Sequence, residues 1–331
     1  MNLNKYKLRT SLSLIAASLI ASTSSVASST STYTDVDYFT SIEQIENTKA
    51  AQQEQIIDKT QAQNALAFAK MAKAAFVSVA NIKGNETDFK RIDDDEAAIL
   101  ASVSPLNENV VFPAFVGVTA EGKEQYKFID ENTGLMATVL LPLSNNDNRV
   151  ILAFAGSDTR VSIYGRTERG VINSASVYEQ VNGGIPADFK QAKALAVSIK
   201  STYPSKDLII TGTSLGGGLA QYAAMLTDSK AYGFNALGLG SGTREDIMTS
   251  RGFSTQNEFD EAANQSIINV NLEGEALTSL FGWYMPAQLG EIYTLPFCKG
   301  QNDWYEYLSS HSLYLHNIGP VIDNLECLIN Q

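Results

Sequence analysis

Histidine and cysteine are scarce: the 331 residues hold two of each. A zinc site in such a chain would have to lean on carboxylates, and Cys298 and Cys327 stand in no metal-ligand spacing. Dense runs of Lys or Arg are absent. With 24 Lys+Arg against 36 Asp+Glu, the formal charge is −12. The concentrated positive surface that phosphate backbones require is missing, so nucleic acid is not an expected partner. Simple electrostatic docking on anionic lipid is disfavoured for the same reason. Also lacking is any apolar stretch of the about 20 residues that a membrane-crossing helix needs, so no transmembrane segment is expected in the mature chain. Hydrophobic residues make up 44% and charged residues 18%. This is an ordinary balance for a protein with a sizeable core, and it excludes wholesale disorder and a collagen-like or coiled-coil fibre.

The start of the chain has the layout of a bacterial-type secretory signal peptide. Lys5, Lys7 and Arg9 precede a short apolar run from Leu12 to Ala21. Ser25-Val26-Ala27 then places small residues at −3 and −1 of a cut after Ala27. The competing reading is an ordinary apolar helix of the folded domain. Export predicts a secreted or periplasmic location and makes a disulfide chemically allowed. A Cys298–Cys327 bridge would enclose both histidines, His311 and His316, and contribute about 2–4 kcal/mol. Two separate buried thiols are the alternative.

Residues 28–40 are Ser/Thr-rich. Helical periodicity runs from about 41 to 80, with Leu66, Phe68, Ala69, Met71, Ala72 and Phe76 on one broad face. Glu124–Asp130 and Leu135–Leu141 read as an antiparallel hairpin around Glu131-Asn132-Thr133-Gly134. Beyond residue 148 the texture changes. Short apolar strands at 150–154, 208–211, 232–234 and 267–272 alternate with alanine-rich helices at about 186–201 and 216–227. That rhythm predicts an α/β fold with a mostly parallel central sheet and helices on both faces.

The sharpest signal is Ile209-Ile210-Thr211-Gly212-Thr213-Ser214-Leu215-Gly216. It is a G-x-S-x-G between a buried strand and a helix, the strand–turn–helix context that lifts a serine hydroxyl above a sheet edge. A phosphate loop would need Gly-Lys-Ser/Thr, and a dinucleotide fingerprint a different glycine order. A glycine-rich turn with an incidental serine is the bland alternative. Ser214 needs a base and an acid to orient it. The expected order is Ser, acid, His, and both histidines lie late in the chain.

With these residues in place, the chain resembles the class 3 lipase-like branch of the α/β hydrolases, and within it the bacterial secreted lipases and phospholipases A. Thr211–Ala220 matches T-G-H-S-L-G-G-x-L-A, with Thr213 where the family has histidine. Phe234-Asn235-Ala236-Leu237-Gly238 resembles F-N-x-x-G, and Ile151–Ser157 resembles the strand ending F-R-G-T/S, with Ala155 replacing arginine. The resemblance implies an α/β-hydrolase domain over 65–331, following a signal peptide at 1–27 and a flexible start and helical region at 28–64.

It also implies the roles. Leu215 and Ser157 would form the oxyanion hole, although Ser157 is alternatively a turn residue. Glu275 matches the catalytic acid by position, with glutamate in place of aspartate; Glu273 is the local rival and Asp246, Asp260 and Asp303 the distant ones. His316 matches the base, and His311 is its rival. The family often carries a lid between its oxyanion loop and the next helix, here residues 159–184, where a packed surface loop is equally consistent. Trp283, Tyr284, Met285 and Pro286 are candidates for an acyl groove or for core.

The expected function is a serine carboxylic-ester hydrolase acting on lipid esters, a lipase or phospholipase A, through a Ser-Glu-His triad and an acyl-enzyme intermediate. Such chemistry needs no metal or organic cofactor. The expected partner is a lipid or small ester, with transient contact at a lipid interface. A short-chain carboxylesterase and a non-catalytic exported binding or toxin component on the same scaffold are the alternatives.

Overall fold

The computed structural model describes residues 55–76, 89–93, 95–97, 100, 113–118, 122, 124–130, 132–157, 168–280, 282, 285–298 and 315–331. The targeting segment, residues 28–54, His311, Asp303, Trp283, Tyr284 and residues 158–167 lie outside the described residues.

In chain order the elements are β1 (Gln55–Ile56), α1 (Lys59–Ala74), β2 (Phe89–Arg91), β3 (Pro113–Val118), β4 (Glu124–Ile129), β5 (Met136–Pro142) and β6 (Arg149–Phe154). There follow α2 (Glu168–Val181), α3 (Ala187–Thr202), β7 (Asp207–Thr213), α4 (Leu215–Thr227), β8 (Lys230–Phe234), α5 (Ser241–Arg251) and α6 (Gln256–Ser266). Strand β9 (Ile267–Leu272), a π-helical turn (Ala276–Leu280), β10 (Glu291–Leu295) and α7 (Ile318–Asn330) complete the set.

Among the described residues ten strands form one sheet in the order β1-β10-β9-β8-β7-β6-β5-β4-β3, with β2 paired to β5. From β1 through to β6 the neighbours are parallel. The β3–β4–β5–β6 end and the β2 pairing are antiparallel. The expected hairpin is β4–β5. Its turn closes because the Asp130 carboxylate accepts from the Asn132 N–H at 2.8 Å and Gly134 supplies φ +76°, a conformation that glycine adopts without steric cost.

Alternation along the central strands decides which helix covers which face. Val150, Leu152 and Phe154 of β6 and Leu208 and Ile210 of β7 join Phe189, Leu195, Leu219, Tyr222 and Phe259 in the main core under α3, α4 and α6. Ile151 and Ile209 point the other way, into a second core with Phe68, Ala69 and Met71 of α1 and Val321, Ile322 and Leu325 of α7. Each large apolar side chain so buried contributes about 1.5–3 kcal/mol. The sheet is therefore flanked on both faces, the α/β-hydrolase arrangement. Helix α1 starts at a capping box in which Asp58 and Gln61 exchange side-chain-to-backbone bonds at 2.8 Å each. It crosses residue 65, where the sequence places the start of the hydrolase domain.

Candidate active site

Strand β7 runs into helix α4 through a single residue, Ser214, with φ 57° and ψ −127°. A non-glycine residue in that region is strained by about 1–3 kcal/mol, so the surroundings must hold it there. They do so by close packing that tolerates no extra carbon. A Cβ on Gly212 would sit 2.2 Å from the Gly216 carbonyl oxygen, and one on Gly216 would sit 2.4 Å from the Phe154 carbonyl oxygen. The first turn of α4 is thereby pressed against the ends of both β7 and β6. Ser214 is clamped through its own backbone as well: its N–H donates to the Phe234 carbonyl at 3.0 Å, and its carbonyl accepts from the Leu237 N–H at 2.8 Å.

The Ser214 hydroxyl lies 2.7 Å from His316 Nε2, and His316 Nδ1 lies 2.6 Å from Glu275 Oε2. The carboxylate can only accept from Nδ1–H, which leaves Nε2 free to accept the serine proton. His316 occupies the short link before α7, with its side chain 18% exposed; that of Glu275 is fully buried. Burial alone would raise the Glu275 carboxyl. Its bond to His316, electrostatic attraction to that ring and the bonds from Thr278 outweigh this and hold it below the ordinary glutamate value. The donors are well placed: Leu277 N–H to Oε2 at 2.9 Å, and the Thr278 N–H and hydroxyl to Oε1 at 2.5 Å each. They come from the start of the π-helical turn, which delivers two backbone N–H groups to one carboxylate.

Of the rival acids, Glu273 is exposed and accepts from the Phe297 N–H at 3.3 Å. Asp246 is engaged by the Tyr222 hydroxyl and by Lys193, and Asp260 by Gln256. None of these three is recorded in contact with the His316 ring. Ser157 is half-buried in the loop after β6. Its neighbour Gly156 packs so closely on the elbow that a Cβ there would lie 2.9 Å from the Ser214 Cβ. Among the described residues no acceptor takes the Leu215 N–H, the first of helix α4. Met285 packs against the main core and Pro286 is buried. The stretch considered for a lid contains α2, whose Gln180 accepts from the Gly240 N–H at 2.7 Å and the Thr243 hydroxyl at 3.1 Å. Thr213, which stands in the place of the family's histidine, is buried, and its hydroxyl has no partner among the described residues.

Cys298, just beyond β10, and Cys327, in α7, are joined by a disulfide with Cα atoms 6.4 Å apart. Asn324 of α7 accepts from the Cys298 N–H at 2.7 Å. The segment that follows His316 is thus tied to the end of β10. Among the described residues no group of three or more His, Cys, Asp or Glu is placed to hold a metal ion, and no helix is long and apolar enough to cross a membrane.

A serine hydroxyl, an imidazole and a buried carboxylate linked in this order, on a strained turn at a helix N-terminus, form an arrangement able to activate the oxygen for attack on a carbonyl. The profile of a phospholipase-like family, the Tle-like phospholipase domain, matches residues 117–293, more than half of the chain. The chain belongs to this family. The Tle-like match includes the elbow and Glu275 and stops before His316. An extracellular phospholipase A1 of Serratia liquefaciens is 34% identical over 204 residues, 59% of this chain. That region is 57% of the relative, so the chain covers less than two thirds of the relative's length. Among solved structures, the Lip2 lipase of Yarrowia lipolytica aligns with a TM-score of 0.43 at 11% identity, over 75% of this chain and 82% of that one. A lipase from Rhizopus microsporus var. chinensis aligns with a TM-score of 0.39 at 14% identity, over 70% and 73%.

Two residues were missed by the sequence reading. Thr278, which fixes the acid, sits in no motif. Asn235 lies inside the F-N-x-x-G resemblance, but no role was assigned to it.

Proposed function

We propose that this member of the Tle-like phospholipase family is an exported serine hydrolase of carboxylic esters in lipids, acting as a phospholipase A with Ser214, His316 and Glu275 as its triad. The observation that carries the reading is the unbroken chain of 2.7 Å and 2.6 Å contacts through the His316 ring. The family and the extracellular phospholipase A1 relative support phospholipid over triacylglycerol as substrate. The elbow pattern supports placement near the class 3 lipases.

In the proposed cycle His316 Nε2 takes the Ser214 proton as Oγ attacks the ester carbonyl. The Leu215 N–H and Ser157 stabilise the oxyanion. The imidazolium, steadied by Glu275, gives its proton to the departing alcohol, and water then releases the fatty acid by the reverse sequence.

The test uses mature protein on phosphatidylcholine vesicles, triacylglycerol emulsion and p-nitrophenyl esters of rising chain length, with Ser214→Ala as blank. Fatty acid released from phosphatidylcholine by the wild type alone is the expected result. Turnover confined to acetate and butyrate esters would replace the reading with a small-ester carboxylesterase. No turnover, together with no labelling of Ser214 by a fluorophosphonate, would leave a non-catalytic scaffold.

A further inference from the structure

We infer that Asn235 is the positioning residue of this site: a single buried amide that sets the base against the acid, on a segment that also grips the nucleophile. The inference rests on the triad proposed above.

Asn235 follows β8 directly and is fully buried. Its φ of 45° lies in the left-handed region, which asparagine enters more readily than other residues with a side chain. The amide makes three bonds of high sequence separation. Oδ1 accepts from the Leu272 N–H at 2.8 Å, at the end of the strand that leads to Glu275. Nδ2 donates to the Leu315 carbonyl at 3.0 Å and to the His316 carbonyl at 3.2 Å. The orientation of the amide is unambiguous, since one end faces an N–H and the other faces two carbonyls.

The neighbouring atoms of the same segment complete the mount. Phe234 and Leu237 hold the two backbone groups of Ser214, the Asn235 N–H donates to the Val270 carbonyl at 3.0 Å, and Gln288 donates to the Ala236 carbonyl at 2.6 Å. Four consecutive residues therefore touch the nucleophile, the acid's strand and the base's own backbone. His316 follows Leu315 directly and lies in the link just before α7. The bonds from Asn235 hold the backbone of that link, beside the Leu315 side chain in the second core. Asparagine suits the task because one short side chain offers both an acceptor and two donors.

Asn235→Gly keeps the left-handed backbone accessible and removes the amide. Asn235→Asp keeps the shape and the acceptor for Leu272 but turns an oxygen toward the two carbonyls. Both variants are assayed against phosphatidylcholine micelles, with kcat counted per fluorophosphonate-reactive serine so that unfolded molecules drop out. A misplacement of about 1 Å costs about 100-fold. Each variant is expected to lose about that factor in kcat, with KM within about twofold of wild type. A second readout does not depend on turnover. The low-field proton resonance of the His316 Nδ1–H, identified by its absence in His316→Ala, should shift or broaden in both variants.

Wild-type kcat per reactive serine, or an unmoved resonance, in either folded variant would overturn the inference. So would a loss of activity that merely follows the unfolded fraction. If Ser214→Ala retains wild-type turnover, the proposed chemistry fails instead, and the resonance still decides whether Asn235 sets the ring.

Discussion

The two halves of the candidate site are held in opposite ways. Around Ser214 the motif itself carries much of the restraint: the serine's strained turn rests on glycines two residues to either side, with Phe234 and Leu237 holding its backbone. Around His316 the restraints among the described residues come from far along the chain. Its ring is fixed by Glu275, 41 positions away, its carbonyl by Asn235, 81 away, and its helix by a bridge back to Cys298. The difference teaches that a nucleophile can be encoded in a short motif, because its geometry is a backbone conformation. A base must be encoded in long-range contacts, because its geometry is a distance to something else.

The largest expected effect erases the difference between the halves. Ser214→Ala and His316→Ala should each lower kcat for ester hydrolysis by about 10⁴–10⁶-fold, the double variant falling no further than the worse single one. Additive losses in a steady-state assay would mean that the two residues do not act as a unit.

Next is the bridge, which belongs to the base half alone. Reduction should lower stability in urea by about 3–4 kcal/mol for a loop of 29 residues. Thiol titration should read none before reduction and two after it. Two thiols without reductant would remove the tether.

A matched pair of glycines then separates the halves directly. Gly216→Ala forces a carbon to 2.4–2.7 Å from the backbone of Phe154 and Ala155, and should destabilise by about 2–3 kcal/mol. Gly319→Ala, just after His316, places its Cβ where no described residue lies within 4 Å. Helix propensity there should make it neutral or stabilising by up to about 1 kcal/mol. Equal denaturation midpoints for the two would sink the contrast.

The smallest effect concerns two buried acids with opposite shifts. Asp188, on α3 behind the elbow, is pushed up to about 7 by burial, against hydrogen bonds from Ser176 and the Phe189 N–H; nearby Glu179 adds to the rise. Glu275 is held low. The folded state thus keeps a proton on Asp188 that the unfolded chain releases near pH 4, so this group makes stability fall as pH rises from about 4 to about 7. Glu275 does the reverse: its contribution is present above the unfolded value and is lost as pH falls through its lowered folded value. Asp188→Asn should flatten the first slope and add on the order of 1–3 kcal/mol at pH 8. Urea midpoints across pH 4–8 check it, and an unchanged slope would exclude Asp188 as its source.

What the sequence revealed follows the same division. Strands β6, β7 and β9 and helices α3 and α4 were legible because apolar runs and alanine-rich stretches repeat with the period of the element they form. The elbow was legible because its glycines and serine fall in one short motif between a strand and a helix, where Gly212 makes room for the Gly216 backbone. Helices α5 and α6 and strand β10 went unread: Ser241–Arg251 and Gln256–Ser266 bury only two residues each and are largely polar. The meeting of Glu275 and His316 was expected through a family resemblance. The residues themselves left Glu273 and His311 open, since a carboxylate's neighbours depend on where a turn of the chain delivers it. Thr278 and Asn235 were beyond reach for that reason. Their chemistry is ordinary, and only their placement makes them special.

The packing of α7 on α1, sealed by Lys70 and Glu326 at 2.7 Å, has a consequence in time. A ribosome adds about 5–20 residues per second, and Ser214 is made 102 residues ahead of His316. For about 5–20 seconds the growing polypeptide carries an alcohol with no ring beside it. The ring arrives only as α7 closes over a helix made some 250 residues before. On the proposed triad, the nucleophile is thus made well before its base, and the half-made chain lacks the ring that would activate it.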